Sequence, residues 1–158
     1  MLEIVQIQFY DIGLACGFAS PANDYPHESI NLNDLLDTNP KETFMINDEN
    51  ICEPIDMNDA LNSNPNSTFL IKANGDSMKD AGILSGNYVV VDRSKGYYDG
   101  CIAVCVLNNA FTIKKVYMQG GNTKLVAANK DFEDIVLGEG DNLLIWGLVT
   151  WALNKTIR

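Results

Sequence analysis

Cys101 to Tyr117 reads CIAVCVLNNAFTIKKVY. Two runs rich in β-branched and aromatic residues flank Asn108-Asn109, a pair that tolerates positive φ. The pattern predicts antiparallel strands over Cys101–Leu107 and Ala110–Tyr117, joined by a tight hairpin. Working outward, Thr68–Ala73, Asn87–Asp92, Thr123–Ala127 and Leu143–Leu153 have the same strand character. Turn residues bound them: Ser85-Gly86, Asp99-Gly100, Gly120-Gly121-Asn122 and Gly138-Glu139-Gly140. Nothing reads as a helix-turn-helix or as a βαβ phosphate-binding unit with G-x-G-x-x-G. The expected fold class is mainly β, a curled and mostly antiparallel sheet over residues 67–158.

The 158 residues are 46% hydrophobic and 20% charged, which suits one compact domain with an appendage and excludes a large multidomain enzyme. The net charge is −10 and the pI about 4.3. A protein that grips phosphates should be basic, so direct specific DNA binding is not expected. No apolar run approaches the roughly 20 residues that cross a bilayer. The opening MLEIVQIQFYDIG carries Glu3 and Asp11 and no basic region, so it does not read as a secretory signal. A cytoplasmic chain without membrane contact is the expectation. Cys16, Cys52, Cys101 and Cys105 form no C-x-x-C pair, and His27 is the one histidine. A zinc site wants about four close N/S ligands, so no metal or other cofactor is expected. The even spacing of Cys101 and Cys105 turns both thiols to one side of a strand, as core residues. His27 lies in the polar run Asp24-Tyr25-Pro26-His27-Glu28, where a surface-loop histidine is the plainer reading than a catalytic one.

Charge and composition change part-way along the chain. Residues 1–70 hold 12 acids and one base, whereas residues 71–158 hold 9 acids and 10 bases. This predicts an acidic, loosely packed N-terminal arm on a β-rich domain. The arm contains a repeat. Ile30–Ile46 reads INLNDLLDTNPKETFMI and Ile55–Ile71 reads IDMNDALNSNPNSTFLI, identical at nine of 17 positions at an offset of 25. Each copy reads as a short helix (around Asn33–Asp37 and Asn58–Asn62), stopped at Asn-Pro and followed by a short strand. Two copies do not make a solenoid, so a local tandem duplication is the simpler account.

Ala73-Asn74-Gly75-Asp76-Ser77-Met78 follows a strand and precedes a turn. Gly75 can take a conformation closed to other residues and present Ser77 at a sharp corner, with backbone N–H groups nearby to hold an oxyanion. Taken alone, Gly-Asp-Ser is also an ordinary turn. A nucleophilic serine needs a base. With histidine set aside, that leaves a lysine kept neutral by burial. Lys114 and Lys115 sit in the apolar run Ala110–Tyr117 and point to opposite faces, and alternation does not decide between them. Both also fit as edge-strand lysines that resist aggregation.

Taken together, G-D-S-M (75–78), G-I-L-S-G-N-Y-V-V-V-D (82–92), D-G-C-I-A-V (99–104) and F-T-I-K-K (111–115) resemble the LexA/UmuD family of self-cleaving serine peptidases of the SOS response. The resemblance runs over roughly Gly17 to Arg158, and includes NKDFEDI (129–135) and Trp146-Gly147-Leu148-Val149. It implies a LexA/UmuD-type C-terminal peptidase domain with a flexible N-terminal arm, and a Ser-Lys dyad made of Ser77 and Lys114. The run C-G-F-x-S-P-A-x-D-Y from Cys16 to Tyr25 is similar to the cleavage segment of the UmuD branch, which implies scission between Cys16 and Gly17. The expected organisation is an arm over 1–16 removed by self-cleavage, an acidic segment over 17–66 with the duplicated unit, and a peptidase and dimerisation domain over 67–158. Sixteen residues before the bond are too few for a helix-turn-helix, which points to the mutagenesis branch rather than a repressor. The resemblance further implies stimulation by the RecA–single-stranded DNA filament, a homodimeric product, and partnership with a UmuC-like Y-family polymerase in lesion bypass. The alternative is a catalytically inert UmuD-like binding module, acting as a polymerase subunit or mixed-dimer partner. The chain departs from the family in its short arm and its surplus repeat copy. Gly17 and Ser77 are 60 residues apart, yet loop-closure entropy grows so slowly that the extra length costs about a few tenths of a kcal/mol. Cleavage within one chain and between chains are both feasible on these grounds.

Overall fold

In the computed structural model, Asn108 and Asn109 have φ of 49° and 67°, so the expected tight hairpin forms where the sequence places it. The structure describes residues 7–10, 27–39, 41, 44–46, 52–54, 56–61 and 64–156. In chain order the elements are β1 (Ile7–Tyr10), β2 (His27–Ile30), α1 (Leu32–Leu35), β3 (Phe44–Ile46), β4 (Cys52–Pro54) and α2 (Met57–Leu61). There follow β5 (Thr68–Lys72), β6 (Tyr88–Asp92), β7 (Cys101–Leu107), β8 (Ala110–Gln119), β9 (Asn122–Val126), β10 (Ile135–Val136) and β11 (Leu143–Leu153). Among the described residues, one large sheet runs β10-β9-β8-β7-β11-β6-β5-β1-β2, and β3 pairs with β4 in a second. Neighbours in the large sheet are antiparallel except β1 and β5, which run parallel. The mainly β, mostly antiparallel expectation holds. The six strands read from sequence are present, with ends shifted by a residue or two in four of them. The short strands β1, β2, β4 and β10 were not anticipated. Each has two to four residues, too few to show a period, and is defined by its partner rather than its own pattern.

Burial follows the strand alternation. Phe69 and Ile71 of β5 join Val89, Val91, Val104 and Trp146 in one cluster. Phe111 meets Trp146 edge-on at 6.2 Å between ring centroids. Cys101 and Cys105 do share a side, packed as free thiols with Val116, Leu125 and Leu148. Leu70 and Val90 point the other way and are covered by Leu32 of α1 and Leu61 of α2. The part of the acidic segment that carries the helices is therefore packed on the sheet. Gly147 lies where β11 shifts register, and a Cβ there would meet Val91 Cγ1 at 2.7 Å.

The two repeat copies are related by a local twofold that their hydrogen bonds spell out. Asn58 Oδ1 accepts from the Leu32 N–H at 2.8 Å, and Asn33 Oδ1 accepts from the Met57 N–H at 3.1 Å. Asn58 Nδ2 donates to Asn31 Oδ1 at 3.0 Å, and Asn33 Nδ2 donates to Asp56 Oδ1 at 2.9 Å. Asn31 and Asp56 each accept from the backbone N–H two residues on, at 2.9 and 2.8 Å. Each of these bonds has its counterpart 25 positions along in the other copy. The first turn of a helix leaves N–H groups without intrahelical partners, and here each helix is capped by the other's asparagine. Burial alone would raise the Asp56 carboxyl, but hydrogen bonds from Asn33, Asn58 and the Asp59 backbone outweigh it and hold the pKa below the ordinary carboxylate value.

Candidate active site

Strand β5 ends at Lys72 and the chain turns through Ala73–Ser77. The Ala73 N–H donates to the Asn87 carbonyl and the Gly86 N–H to the Ala73 carbonyl, which ties this corner to the start of β6. Gly75 takes φ of 92°, the left-handed region that favours glycine. Its N–H donates to Ser85 Oγ at 3.1 Å, which fixes the turn. Met78 is buried in the core beneath, and a single 3-10 turn over Lys79–Ala81 closes the segment at Gly82, with φ of 81°. The result is a half-buried Ser77 at a rigid corner.

Strand β8 brings the lysine. Its burial separates the two candidates that alternation left open: Lys114 is 8% exposed, while Lys115 is partly exposed. Lys114 Nζ lies 2.9 Å from Ser77 Oγ, 2.9 Å from Thr112 Oγ1 and 3.1 Å from the Ile113 carbonyl oxygen. Burial disfavours the ammonium and pulls its pKa below the ordinary lysine value, against a smaller upward pull from Cys105. Burial pushes the Cys105 thiol up to about 12, so it stays protonated beside the amine. A hydroxyl in hydrogen-bond contact with an amine biased toward neutrality is a nucleophile–base pair in form.

A cavity of about 230 Å³ opens over this pair. Ser77, Lys114 and Thr112 line it with the apolar groups Met78, Ile113 and Phe132. Phe132 is 47% exposed at its rim. The turn that carries Phe132 is bonded to the serine corner: Asn129 Nδ2 donates to the Asp76 carbonyl at 2.9 Å, and the Asp80 N–H donates to the Ala128 carbonyl at 2.8 Å. In sequence, Asn129 was visible as part of a motif and Thr112 as a face-mate of Lys114. The contacts each makes span 53 and 2 positions, and the longer one leaves no local trace.

Cys16 and Gly17 lie outside the described residues. The strands on either side of them are placed. Tyr10 of β1 stands opposite Ile71 of the parallel β5, and His27 of β2 stands opposite Tyr10. His27, read as a loop residue, is the first residue of that strand. Both ends of the connection 11–26 therefore meet the sheet at the end where β5 leads into Ser77. Cys16 is six residues beyond Tyr10, and Ser77 six beyond Ile71. Six residues reach up to about 20 Å, so the chain length allows the two to meet.

Residues 43–150 match the family model described as Peptidase S24-like. The chain belongs to this family. The assignment agrees with the LexA/UmuD resemblance of its motifs, and the S24 match contains both Ser77 and Lys114. Protein MucA of Salmonella typhimurium is 28% identical over 152 residues, covering 96% of this chain and 86% of that protein. Protein ImpA of Salmonella typhimurium is 26% identical over 141 residues, covering 89% and 78%. The LexA repressor of Cupriavidus taiwanensis is 33% identical over 86 residues, covering 54% of this S24 chain and 40% of the repressor. Among the described residues, no helix is long and apolar enough to cross a membrane.

Proposed function

We propose that this protein is a self-cleaving serine peptidase of the UmuD-like kind, with Ser77 as nucleophile, Lys114 as general base and the Cys16–Gly17 bond as substrate. The observation that carries the reading is the 2.9 Å contact between Lys114 Nζ and Ser77 Oγ in a pocket that depresses the lysine pKa. Neutral Nζ takes the proton of the Ser77 hydroxyl as Oγ attacks the Cys16 carbonyl carbon. The tetrahedral oxyanion is held by the Ser77 backbone N–H. As the C–N bond breaks, the Lys114 ammonium returns the proton to the Gly17 amine. Water then hydrolyses the Ser77 ester, leaving a Cys16 carboxylate and a free hydroxyl. The strand ends at Tyr10 and His27 favour presentation within one chain, since both stand at the serine end of the sheet.

The biological setting follows the UmuD-like relatives. MucA and ImpA match nearly the whole chain, whereas the repressor matches about half of it. On this reading the RecA–single-stranded DNA filament stimulates cleavage in the cytoplasm. The product Gly17–Arg158 dimerises and serves a UmuC-like Y-family polymerase during SOS mutagenesis and translesion synthesis. The net charge of −10 suits contact with basic protein surfaces.

Intact-protein mass spectrometry tests the reading. The chain is incubated at pH about 10, where more of the lysine is neutral, and separately with a RecA filament, beside a Ser77→Ala control. A Gly17–Arg158 fragment absent from the control is the expected result. An uncut chain under both conditions moves the assignment to the inert binding module.

A further inference from the structure

Asp76 is joined to Ser77 by a planar trans peptide, in which the carbonyl and the N–H point in opposite directions. Whatever holds the Asp76 carbonyl therefore aims the Ser77 N–H. Two donors hold it: the Lys79 N–H at 3.2 Å, from within the corner, and Asn129 Nδ2 at 2.9 Å, from 53 residues away. Among the described residues the Ser77 N–H makes no hydrogen bond, and Ser77 lines the cavity. A backbone donor left unspent beside a pocket is available to a ligand. Asn129 is itself fixed. It is 4% exposed, its Oδ1 accepts from the Asp131 N–H at 3.1 Å, and its carbonyl accepts from the Phe132 N–H at 3.1 Å.

We infer that Asn129 is a positioning residue for the oxyanion site: by holding the Asp76 carbonyl away from the pocket it presents the Ser77 N–H to the oxyanion of the cleavage intermediate. The inference rests on the peptidase reading above for its chemistry, and on geometry alone for the anchor. Lys79 restrains the carbonyl from a short exposed turn. Asn129 restrains it from a separate segment, so the peptide plane is clamped from outside its own loop. Electrostatic preorganisation of this kind acts on the transition state, while the Lys114 amine is surrounded by Thr112, Ile113 and Cys105, to none of which Asn129 hydrogen-bonds.

The test uses the full chain with Asn129→Ala and the near-isosteric Asn129→Asp, which keeps the acceptor for Asp131 and loses the donor. Two quantities are read. The first is the orientation of the Ser77 N–H vector, from residual dipolar couplings at neutral pH before cleavage. The second is the first-order self-cleavage rate from pH about 7 to about 10, followed below the ordinary lysine value. Both variants should reorient or average the Ser77 N–H. Both should slow the plateau rate by about tenfold or more, short of the 10²–10³ that accompanies outright loss of an oxyanion donor. The pH midpoint of the Asn129→Ala rate should stay where it is. A general loosening of the site would instead admit water to Lys114 and move that midpoint upward. An unmoved Ser77 N–H in both variants overturns the inference whatever the rate does. An unchanged plateau beside a reoriented N–H also overturns it. A native chain that never cuts refutes the peptidase reading, and the anchor then stands or falls on the N–H vector.

Discussion

Thr112 Oγ1 and Lys114 Nζ are 2.9 Å apart, the same distance that separates Nζ from Ser77 Oγ. Residues two apart on a strand share a side, so β8 delivers a lysine together with its own polar brace. Replacing Thr112 with valine keeps the shape and removes the hydroxyl. The amine is then less constrained toward Ser77, and the self-cleavage rate should fall by about tenfold. Ser77→Ala should abolish it. Intact mass followed over time gives both numbers, and an unchanged Thr112→Val rate would reduce Thr112 to a packing role.

Lys114 makes stability depend on pH in a stated direction. Its folded pKa lies below the ordinary 10.5. Between the two values the unfolded chain binds the extra proton, so stability rises with pH across that window. Below it the folded protein carries a buried ammonium. In a Ser77→Ala background that prevents cutting, Lys114→Met should therefore melt higher than its parent near pH 7, and the gap should shrink toward pH about 10. Thermal melts at several pH values give the answer. A gap that widens with pH would contradict the buried-amine picture.

The asparagine pair should be energetically coupled. Asn58→Ala leaves the Leu32 N–H without its acceptor, and Asn33→Ala does the same to Met57. Each should cost about 1–3 kcal/mol, the usual penalty for an orphaned buried donor. The double variant should cost less than the sum by about 0.5 kcal/mol or more, because the two side chains serve one seam. Denaturant titration of the four proteins closes the cycle, and simple additivity would mean that the two asparagines act independently.

Gly147 has no room to grow. A Cβ would stand 2.7 Å from Val91 Cγ1 and 3.1 Å from Arg93 Cγ. The Arg93 side chain also donates to the Trp146 carbonyl at 3.1 Å and lies over the Trp146 ring, and Val91 is fully buried in the core, so neither neighbour yields freely. Gly147→Ala should lose about 1–3 kcal/mol by overpacking. For a chain of this size that lowers the melting temperature by about 2–4 °C per kcal/mol. Calorimetry would show it, and an unaltered melt would place slack between β6 and β11.

Much of this was legible in the sequence because it is local. The Asn108-Asn109 hairpin, the full length of β7 and β11, and the Gly75 corner each rest on a few consecutive residues. The repeat was visible as text. Its meaning was not, since a helix of four residues and one of five show no sign that Asn33 and Asn58 cap each other across 25 positions. The choice between Lys114 and Lys115 is similar. Both faces of β8 are covered, so alternation carries no information there. Burial against the serine corner decides it. Asn129 needed the same long-range pairing to become meaningful.

Strand β1 is stitched into the sheet on both sides, parallel to β5 and antiparallel to β2. A cut after Cys16 would sever its covalent link to the domain and leave those ladders intact. Scission and departure are then two separate events with separate rates, the second set by how fast a four-residue ribbon peels out from between its neighbours. Until it peels, a nicked molecule has the mass signature of product in a denaturing measurement and the silhouette of the precursor in a native one.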